Sequence, residues 1–397
     1  MHMKVSTRSA YVAIVTMGVV SMLGDIIYEG GRSLSPEYLK FLGASAVLVG
    51  TVSGAGEFIG YALRLLSGAL ADKTRLYWVF IFLGYGLIVA IPFLGLAQIV
   101  EVTILFLLLE RLGKALRNPS RDTVLSIVSK GIGSGKAFGI HEFLDQIGAI
   151  VGPALIAALM FYSGNNYSTT FTLLFIPYVA LILALFCTYK TVEKNFHPEA
   201  RVSAKASKWL TKSFCLYTAS VGLNTIGLVP VALILYKASN IFQPTQQWLI
   251  PILYLVVQAI DAPIALISGL AFDRIGVKTL ILPYIISFLP ALFISYGSIM
   301  EVVMACISYG VVLGMQESIY RAAVSDLVPT EVKGTAYGIF NTVLGVGFIV
   351  GGSVFGLFID KQLLPLFSLT YVAATQLLAV LLLLESTKQA TVKELQK

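Results

Sequence analysis

Residues 102–122 read VTILFLLLERLGKALRNPSRD, an apolar run from Val102 to Leu109 that continues without a turn into thirteen residues carrying six ionisable side chains. Nothing at the junction would stop a helix, so the charges extend the same element. If that helix crosses a bilayer, each charge has to be paired or hydrated. An isolated charge in hydrocarbon costs kilocalories, so an intramembrane charge marks function by default.

The composition makes the membrane reading the only economical one. Of 397 residues, 57% are hydrophobic and 12% charged, half the charge of an ordinary globular domain, and the mean hydropathy is +0.84. Long apolar stretches recur from end to end, and a soluble fold would leave most of them in water. The first apolar run leads into Gly24, Asp25 and Glu29 and then more apolar chain, with no signal-peptide cleavage pattern. Cys187, Cys215 and Cys306 all fall in hydrophobic runs without a CxxC, which gives neither a disulfide framework nor a zinc signature. The formal net charge of +7 reads as cytoplasmic loop charge, and no nucleic-acid partner is expected. No GxxxxGK[ST], GxSxG or HExxH string occurs, so ATP-driven and hydrolytic chemistry have no motif. The chain is expected to be no enzyme, with no catalytic residues, no cofactor and no resident metal.

A bilayer-crossing helix needs roughly 20 apolar residues. Breaks at Gly, Pro and charge clusters predict twelve spans: 9–30, 44–70, 77–97, 101–127, 136–161, 168–189, 210–236, 246–271, 278–299, 301–327, 332–358 and 364–385. Lys4, Arg8, Lys73, Arg75, Lys130, Lys136, Arg274, Lys278, Lys333, Lys388, Lys393 and Lys397 then share a face with both termini. The opposite loops hold little beyond Arg32, Lys40, Lys237 and Lys361. The positive-inside bias places both termini in the cytoplasm, in a multi-pass protein of the cytoplasmic (inner) membrane. The polar segment 190–209 divides the chain into an N-terminal six-helix bundle, 1–189, and a C-terminal one, 210–397.

The two halves repeat one another at offsets of 199 to 204 residues. SGALADKTR (Ser67–Arg75) pairs with SGLAFDRIG (Ser268–Gly276), RNPSRD (Arg117–Asp122) with RAAVSD (Arg321–Asp326), and GKAFGIHEFLDQIGAIVGP from Gly135 with GTAYGIFNTVLGVGFIVGG from Gly334. Three matches in one order indicate a duplicated unit. Two such halves place a binding site between them near the midplane of the membrane.

On these residues the chain resembles the major facilitator superfamily over nearly its full length. GALADKTR is similar to the signature of its second-to-third-helix loop. GLAFDRIGVK is closer still, because the first copy has Arg75 where the second has Gly276. Gly139, Gly148, Gly152 and Pro153 stand at the spacing of the antiporter signature on helix five, with Ile156 and Ala157 in place of the terminal glycine pair. The resemblance implies an all-α membrane fold of 12 helices in two pseudo-symmetric bundles, and a charge latch at the cytoplasmic side in the outward-open state. Asp72, Arg75, Arg117, Arg121 and Asp122 would form it in one half, and Asp273, Arg274, Arg321 and Asp326 in the other. The competing reading is that these charges only anchor helix ends.

Depth follows from the helical rise of about 1.5 Å per residue, which puts Glu110, Arg111, Glu142 and Asp145 near the midplane. His141, Glu142 and Asp145 occupy neighbouring helical faces. Their repeat partners are Phe340, Asn341 and Leu344, so these polar groups are not needed by the fold itself. Asp145 is the foremost candidate for proton coupling, with Glu142, Glu57, Asp25 and Glu29. Alternating access would change the solvation and charged neighbours of such a carboxylate, the two factors that set its proton affinity. The alternative is permanent structural pairing with Arg111, Lys114 or Arg64. Candidate substrate contacts are Arg111, Lys114 and His141 in the first half and Asn224, Gln258, Asp261, Gln316 and Glu317 in the second, with Tyr254, Tyr309 and Tyr320 as an apolar wall.

The expected function is secondary active transport of a small solute by alternating access, coupled to protons, with export or antiport as the direction the helix-five glycines suggest. Expected partners are a small-molecule substrate, protons and the lipid bilayer, and the chain is expected to be a monomer. A metal-ion exporter, a lipid flippase and a non-transporting membrane receptor on the same fold are the alternatives.

Overall fold

A computed structural model describes residues 7–129, 132–193, 210–329 and 332–395. Among the described residues every regular element is helical. The first half comprises α1 (Thr7–Phe41), α2 (Ala46–Thr74), α3 (Tyr77–Gly86), the short α4 (Ala90–Phe93), α5 (Val100–Val128), α6 (Ser134–Tyr162), α7 (Tyr167–Leu173) and α8 (Phe175–Val192). The second comprises α9 (Lys212–Ile226), α10 (Val231–Ala238), α11 (Ile250–Ile275), α12 (Ile281–Ile286), α13 (Phe288–Ile294), α14 (Ile299–Met315), α15 (Arg321–Leu327), α16 (Lys333–Asp360) and α17 (Leu366–Leu395). A π-helical turn, Gln316–Tyr320, joins α14 to α15.

Among the described residues ten helical runs are long and apolar enough to cross a membrane. One of them, Pro244–Ile294, has 51 residues, enough for two passes. Val100–Val128, with 29 residues, is also long enough to cross but carries the charges of residues 110–122. Twelve spans are compatible with this inventory. The expected segment 190–209 lies outside the described residues from position 194.

The first helix departs from expectation. It runs 35 residues through Gly30, Gly31 and Pro36 instead of ending near residue 30. A proline inside a helix removes one backbone donor, here the one that would have bonded to Arg32 O, and the helix runs on through it. Arg32, expected in a loop, therefore stands on the helix beside Glu29.

The chain forms two compact units. Unit 1 comprises Met1–Tyr38, Leu63–Val202 and Pro244–Ile252, and unit 2 comprises Leu39–Ala62, Ser203–Gln243 and Leu253–Lys397. In unit 1, α6 meets α1 backbone to backbone. A Cβ on Gly148 would lie 2.5 Å from Met22 O, and one on Gly152 2.6 Å from Ile26 O. Only glycine permits such an approach. In unit 2, Gly347 and Gly351, each 199 residues further along, lay α16 against α9 at Gly222 O, Thr225 O and Ile226 O.

Polar contacts repeat in the same way. Ser21 and Tyr85 share a 3.0 Å hydrogen bond in unit 1, and Ser220 donates to Tyr284 Oη at 3.0 Å in unit 2. The residue at the αL turn after α2 is Arg75, φ 61°, and its repeat partner after α11 is Gly276, φ 71°. The loop keeps one shape in both copies, although a side chain pays about 1–2 kcal/mol for that conformation.

Candidate functional site

Unit 1 gathers its charges on three facing helix surfaces. Asp25, Tyr28, Glu29 and Arg32 recur at helical spacing on α1. Arg111, Lys114, Arg117 and Arg121 do the same on α5, and His141 and Asp145 stand on α6. The glycine contact between α6 and α1 sets the frame, since the Cβ of Asp25 would be 2.7 Å from a Cβ on Gly148.

Around Asp145, Arg121 is the organising group. Its guanidinium donates to Ser21 Oγ at 2.8 Å and to Asp122 Oδ1 at 3.0 Å, and Nη1 lies 3.6 Å from Asp145 Oδ2. His141 Nδ1 is 3.4 Å from the same oxygen. The other atoms of this pair, Asp145 Oδ1 and His141 Nε2, are buried with no hydrogen-bond partner among the described residues. Asp25 is 8% exposed and makes no hydrogen bond or ion pair among the described residues. It lies within electrostatic range of Asp145, Lys114, Glu29 and Arg117.

Two cations lie near Glu29. Glu29 Oε1 is 3.7 Å from Arg32 Nη1 and 3.9 Å from Lys114 Nζ. Lys114 donates to Tyr28 Oη at 3.2 Å and sits 4.5 Å from the centroid of that ring. Arg111 Nε is 3.7 Å from Glu110 Oε2.

Arg117 belongs to the packed interior. It is 2% exposed, 3.3 Å from Glu110 Oε1, donates to Gly84 O at 3.3 Å, and lies against the rings of Tyr28 and Tyr85. Glu110 and Arg117 are two turns apart on α5, so they share a face and pair within one helix.

Of the expected latch residues Arg121 pairs with its neighbour Asp122, and among the described residues no ion pair joins Asp72 to Arg117 or Arg121. Asp72 accepts from Tyr77 Oη at 2.8 Å, and Arg117 and Arg121 are engaged elsewhere. No ion pair joins Asp273 or Asp326 to Arg321 among the described residues, and the Arg321 guanidinium lies 6.0 Å from the Tyr61 ring centroid. Arg75 and Arg274 stand at the ends of α2 and α11. Glu142 is exposed and accepts from Gln146 at 3.4 Å. Glu57 lies on the part of α2 that belongs to unit 2.

Unit 2 holds a neutral network centred on Asn224, which is fully buried. Its amide donates to Ser287 Oγ at 3.0 Å and Gln376 Oε1 at 2.8 Å. Its carbonyl oxygen accepts from Tyr320 Oη at 2.7 Å and Gln316 Nε2 at 3.4 Å. Asn224 is the repeat partner of Asp25, 199 residues on. Gln316, Glu317 and Tyr320 sit on the π-helical turn, a feature that recurs at functional sites; Gln316 is buried and Glu317 exposed. Gln258 and Asp261 are buried on α11.

The sequence reading had missed Ser21, Tyr28, Tyr85, Ser287 and Gln376. Ser21 and Tyr85 were findable, because the repeat places Ser220 and Tyr284 opposite them. Gln376, one polar residue in an apolar helix, gave no such signal. Among the described residues no three His, Cys, Asp or Glu side chains converge as metal ligands.

These helices and their internal repeat define a multi-pass membrane protein with charges held inside its bundle. Residues 9–352 match the model of the Major Facilitator Superfamily, and the chain belongs to that family of membrane transporters. The uncharacterized protein Rv2265 of Mycobacterium tuberculosis is 34% identical, covering 94% of this chain and 93% of its own. The uncharacterized MFS-type transporter MJ1317 of Methanocaldococcus jannaschii is 29% identical over 84% of this chain and 85% of its own. In fold the chain is similar to the nucleoside transporter NupG, with a TM-score of 0.68, 15% identity and coverage of 95% and 98%. It is likewise similar to the POT family transporter PepTSo, with a TM-score of 0.70, 12% identity and coverage of 97% and 99%. A family of transporters fits a non-enzymatic role.

Proposed function

We propose that the chain is a proton-coupled secondary active transporter of the cytoplasmic membrane, moving a small solute by alternating access between bundles 1–189 and 210–397, with both termini cytoplasmic. One observation carries the reading. At the same repeat position the second half has Asn224, neutral and bonded through both ends of its amide, and the first half has Asp25, a carboxylate with no hydrogen bond among the described residues and Asp145 within electrostatic range. A fold that runs on the amide in one copy does not need the carboxylate in the other.

Asp25 and Asp145 are the proton carriers in this reading. A proton on either removes their mutual repulsion, and Arg121 and Lys114 are the cations that balance the deprotonated pair. The helix-five glycines that pack α6 on α1 favour export in exchange for protons. In proteoliposomes loaded with a pH-reporting dye, solute flux should carry protons with it, and Asp25→Asn should abolish the pH signal. A proton signal of normal size in that variant would remove Asp25 from the mechanism.

A further inference from the structure

We infer that Arg121 is the positioning residue of the proton site, one guanidinium that serves Asp145 and Asp25 in turn. The inference rests on the proton-coupled reading above and names what decides which carboxylate holds the proton. Its basis is the register between the two copies. α5 and the run α14–α15 both have 29 residues, Val100–Val128 and Ile299–Leu327, and begin 199 residues apart. Their packing keeps that register: a Cβ on Gly68 would meet Pro119 at 3.3 Å, and one on Gly269 would meet Ser318 at 3.0 Å. The offset of 204 between RNPSRD and RAAVSD is therefore not the register of the contacts.

At 199, Arg117 and Arg121 stand where the second copy has Gln316 and Tyr320. Those two side chains both donate to Asn224 Oδ1, at 3.4 Å and 2.7 Å, and Asn224 is the partner of Asp25. The surroundings agree as well. Tyr320 packs edge-on against Tyr284, and Arg121 lies within electrostatic range of Tyr85, the partner of Tyr284. The fold thus aims two donors at this position, and in the first copy both are arginines that donate elsewhere. Arg117 is committed to Glu110 and Gly84 O with its side chain 2% exposed, whereas the side chain of Arg121 keeps 15%.

Arg121 has a short way to go. It already donates to Ser21 Oγ at 2.8 Å, and Asp25 is the next residue on that face of α1, one turn along. Its contact with Asp145, 3.6 Å, is the longest it makes. The other charged or titratable groups near Asp25 are Lys114, Glu29, Arg117 and Tyr28; near Asp145 they are Glu142, Lys114 and His141. An arginine carries its charge wherever it points. A buried carboxylate without a donor costs least when it holds a proton, so in this structure the proton belongs to Asp25 and the guanidinium to Asp145. When the guanidinium reaches Asp25, the O–H bond there breaks and its proton leaves to water. Asp145, left by its cation, takes a proton from water and forms the new O–H bond. The pair holds one proton before and after.

The test is a cryo-EM structure of the full chain carrying Asp122→Asn and Asp145→Asn, which removes both carboxylates that Arg121 now meets. The guanidinium should turn onto Asp25, to about 2.7–2.9 Å. Infrared spectra follow the proton. The native chain should show a protonated-carboxyl band that is lost in Asp25→Asn. The same band should vanish in the paired variant and return when Arg121→Gln is added, but not when Arg121→Lys is added. Asp145→Leu, the residue that the second copy carries as Leu344, takes the place of Asp145→Asn should the amide pair fail to fold. An Arg121 that stays on Ser21, an Asp25 band of native size in the paired variant, or a native chain without the band would overturn the assignment. The two readings fail separately. A fixed Arg121 together with a lost pH signal in Asp25→Asn proteoliposomes would sink the exchange and leave proton coupling standing, whereas a normal pH signal in Asp25→Asn would sink the coupling itself.

Discussion

Asp25 on α1 and Asn224 on α9 hold one position in the two repeats, each four residues beyond the serine, Ser21 or Ser220, that bonds a tyrosine, Tyr85 on α3 or Tyr284 on α12. The amide is locked into a network, and the carboxylate stands free of hydrogen bonds among the described residues. This difference predicts opposite outcomes for exchanging them. Asp25→Asn should fold with a Tm at or above that of the native chain and lose proton coupling. Asn224→Asp puts an acceptor where Ser287 and Gln376 now accept, and each buried group left unsatisfied costs about 1–3 kcal/mol. A fall in Tm for Asn224→Asp alone is the expected result.

Glu110 and Arg117 form an ion pair at 3.3 Å in the interior of unit 1, with side chains 4% and 2% exposed. Glu110→Gln leaves a buried guanidinium uncompensated and should destabilise the protein by about 3–5 kcal/mol, while replacing both residues by Met should recover most of the loss. A double-mutant cycle followed by thermal unfolding in detergent checks both halves of this expectation. Equal losses in the single and double variants would show that the pair is not coupled.

The contact of α6 with α1 tolerates no side chain at Gly152. Gly152→Val places atoms 2.6 Å from Ile26 O, and the variant should lose folded yield and transport. Gly135→Ala, with nothing within 4 Å of the added Cβ, should behave as the native chain. Size-exclusion profiles of the two variants give the comparison directly.

Within unit 2, Asp360 at the end of α16 accepts from the first backbone N–H groups of α2, Ala46 at 2.9 Å and Val47 at 3.0 Å. These are donors that no intrahelical carbonyl can serve. Asp360→Ala should cost about 1 kcal/mol, the typical value of a helix cap, and speed amide exchange over the first turn of α2. Unchanged exchange at Ala46 and Val47 would show that the cap contributes nothing.

The membrane class, the duplication and most helix spans were legible because apolar runs of bilayer length and repeated glycine strings are local signals. The length of α1 was not, because Gly30, Gly31 and Pro36 read as a stop although the helix runs through them. Arg32 was misplaced with it. The distance from Arg117 to Asp72 could not be read from the sequence, whereas the pairing of Arg117 with Glu110, two turns away on one helix, could have been. The equivalence of Asp25 and Asn224 was present in the 199-residue offset of the helix-five repeat and needed only the extension of that register to α1. The network around Asn224 depends on Gln376 and Ser287, which come together only in three dimensions.

The most direct test of proton coupling through Asp25 and Asp145 compares two fluxes in proteoliposomes of the native chain and of Asp25→Asn and Asp145→Asn. One is accumulation of a radiolabelled solute driven by an imposed pH gradient, and the other is exchange of that solute at equal pH. The account predicts that both variants keep exchange and lose gradient-driven accumulation. Accumulation at the native rate in the double variant Asp25→Asn, Asp145→Asn would contradict it.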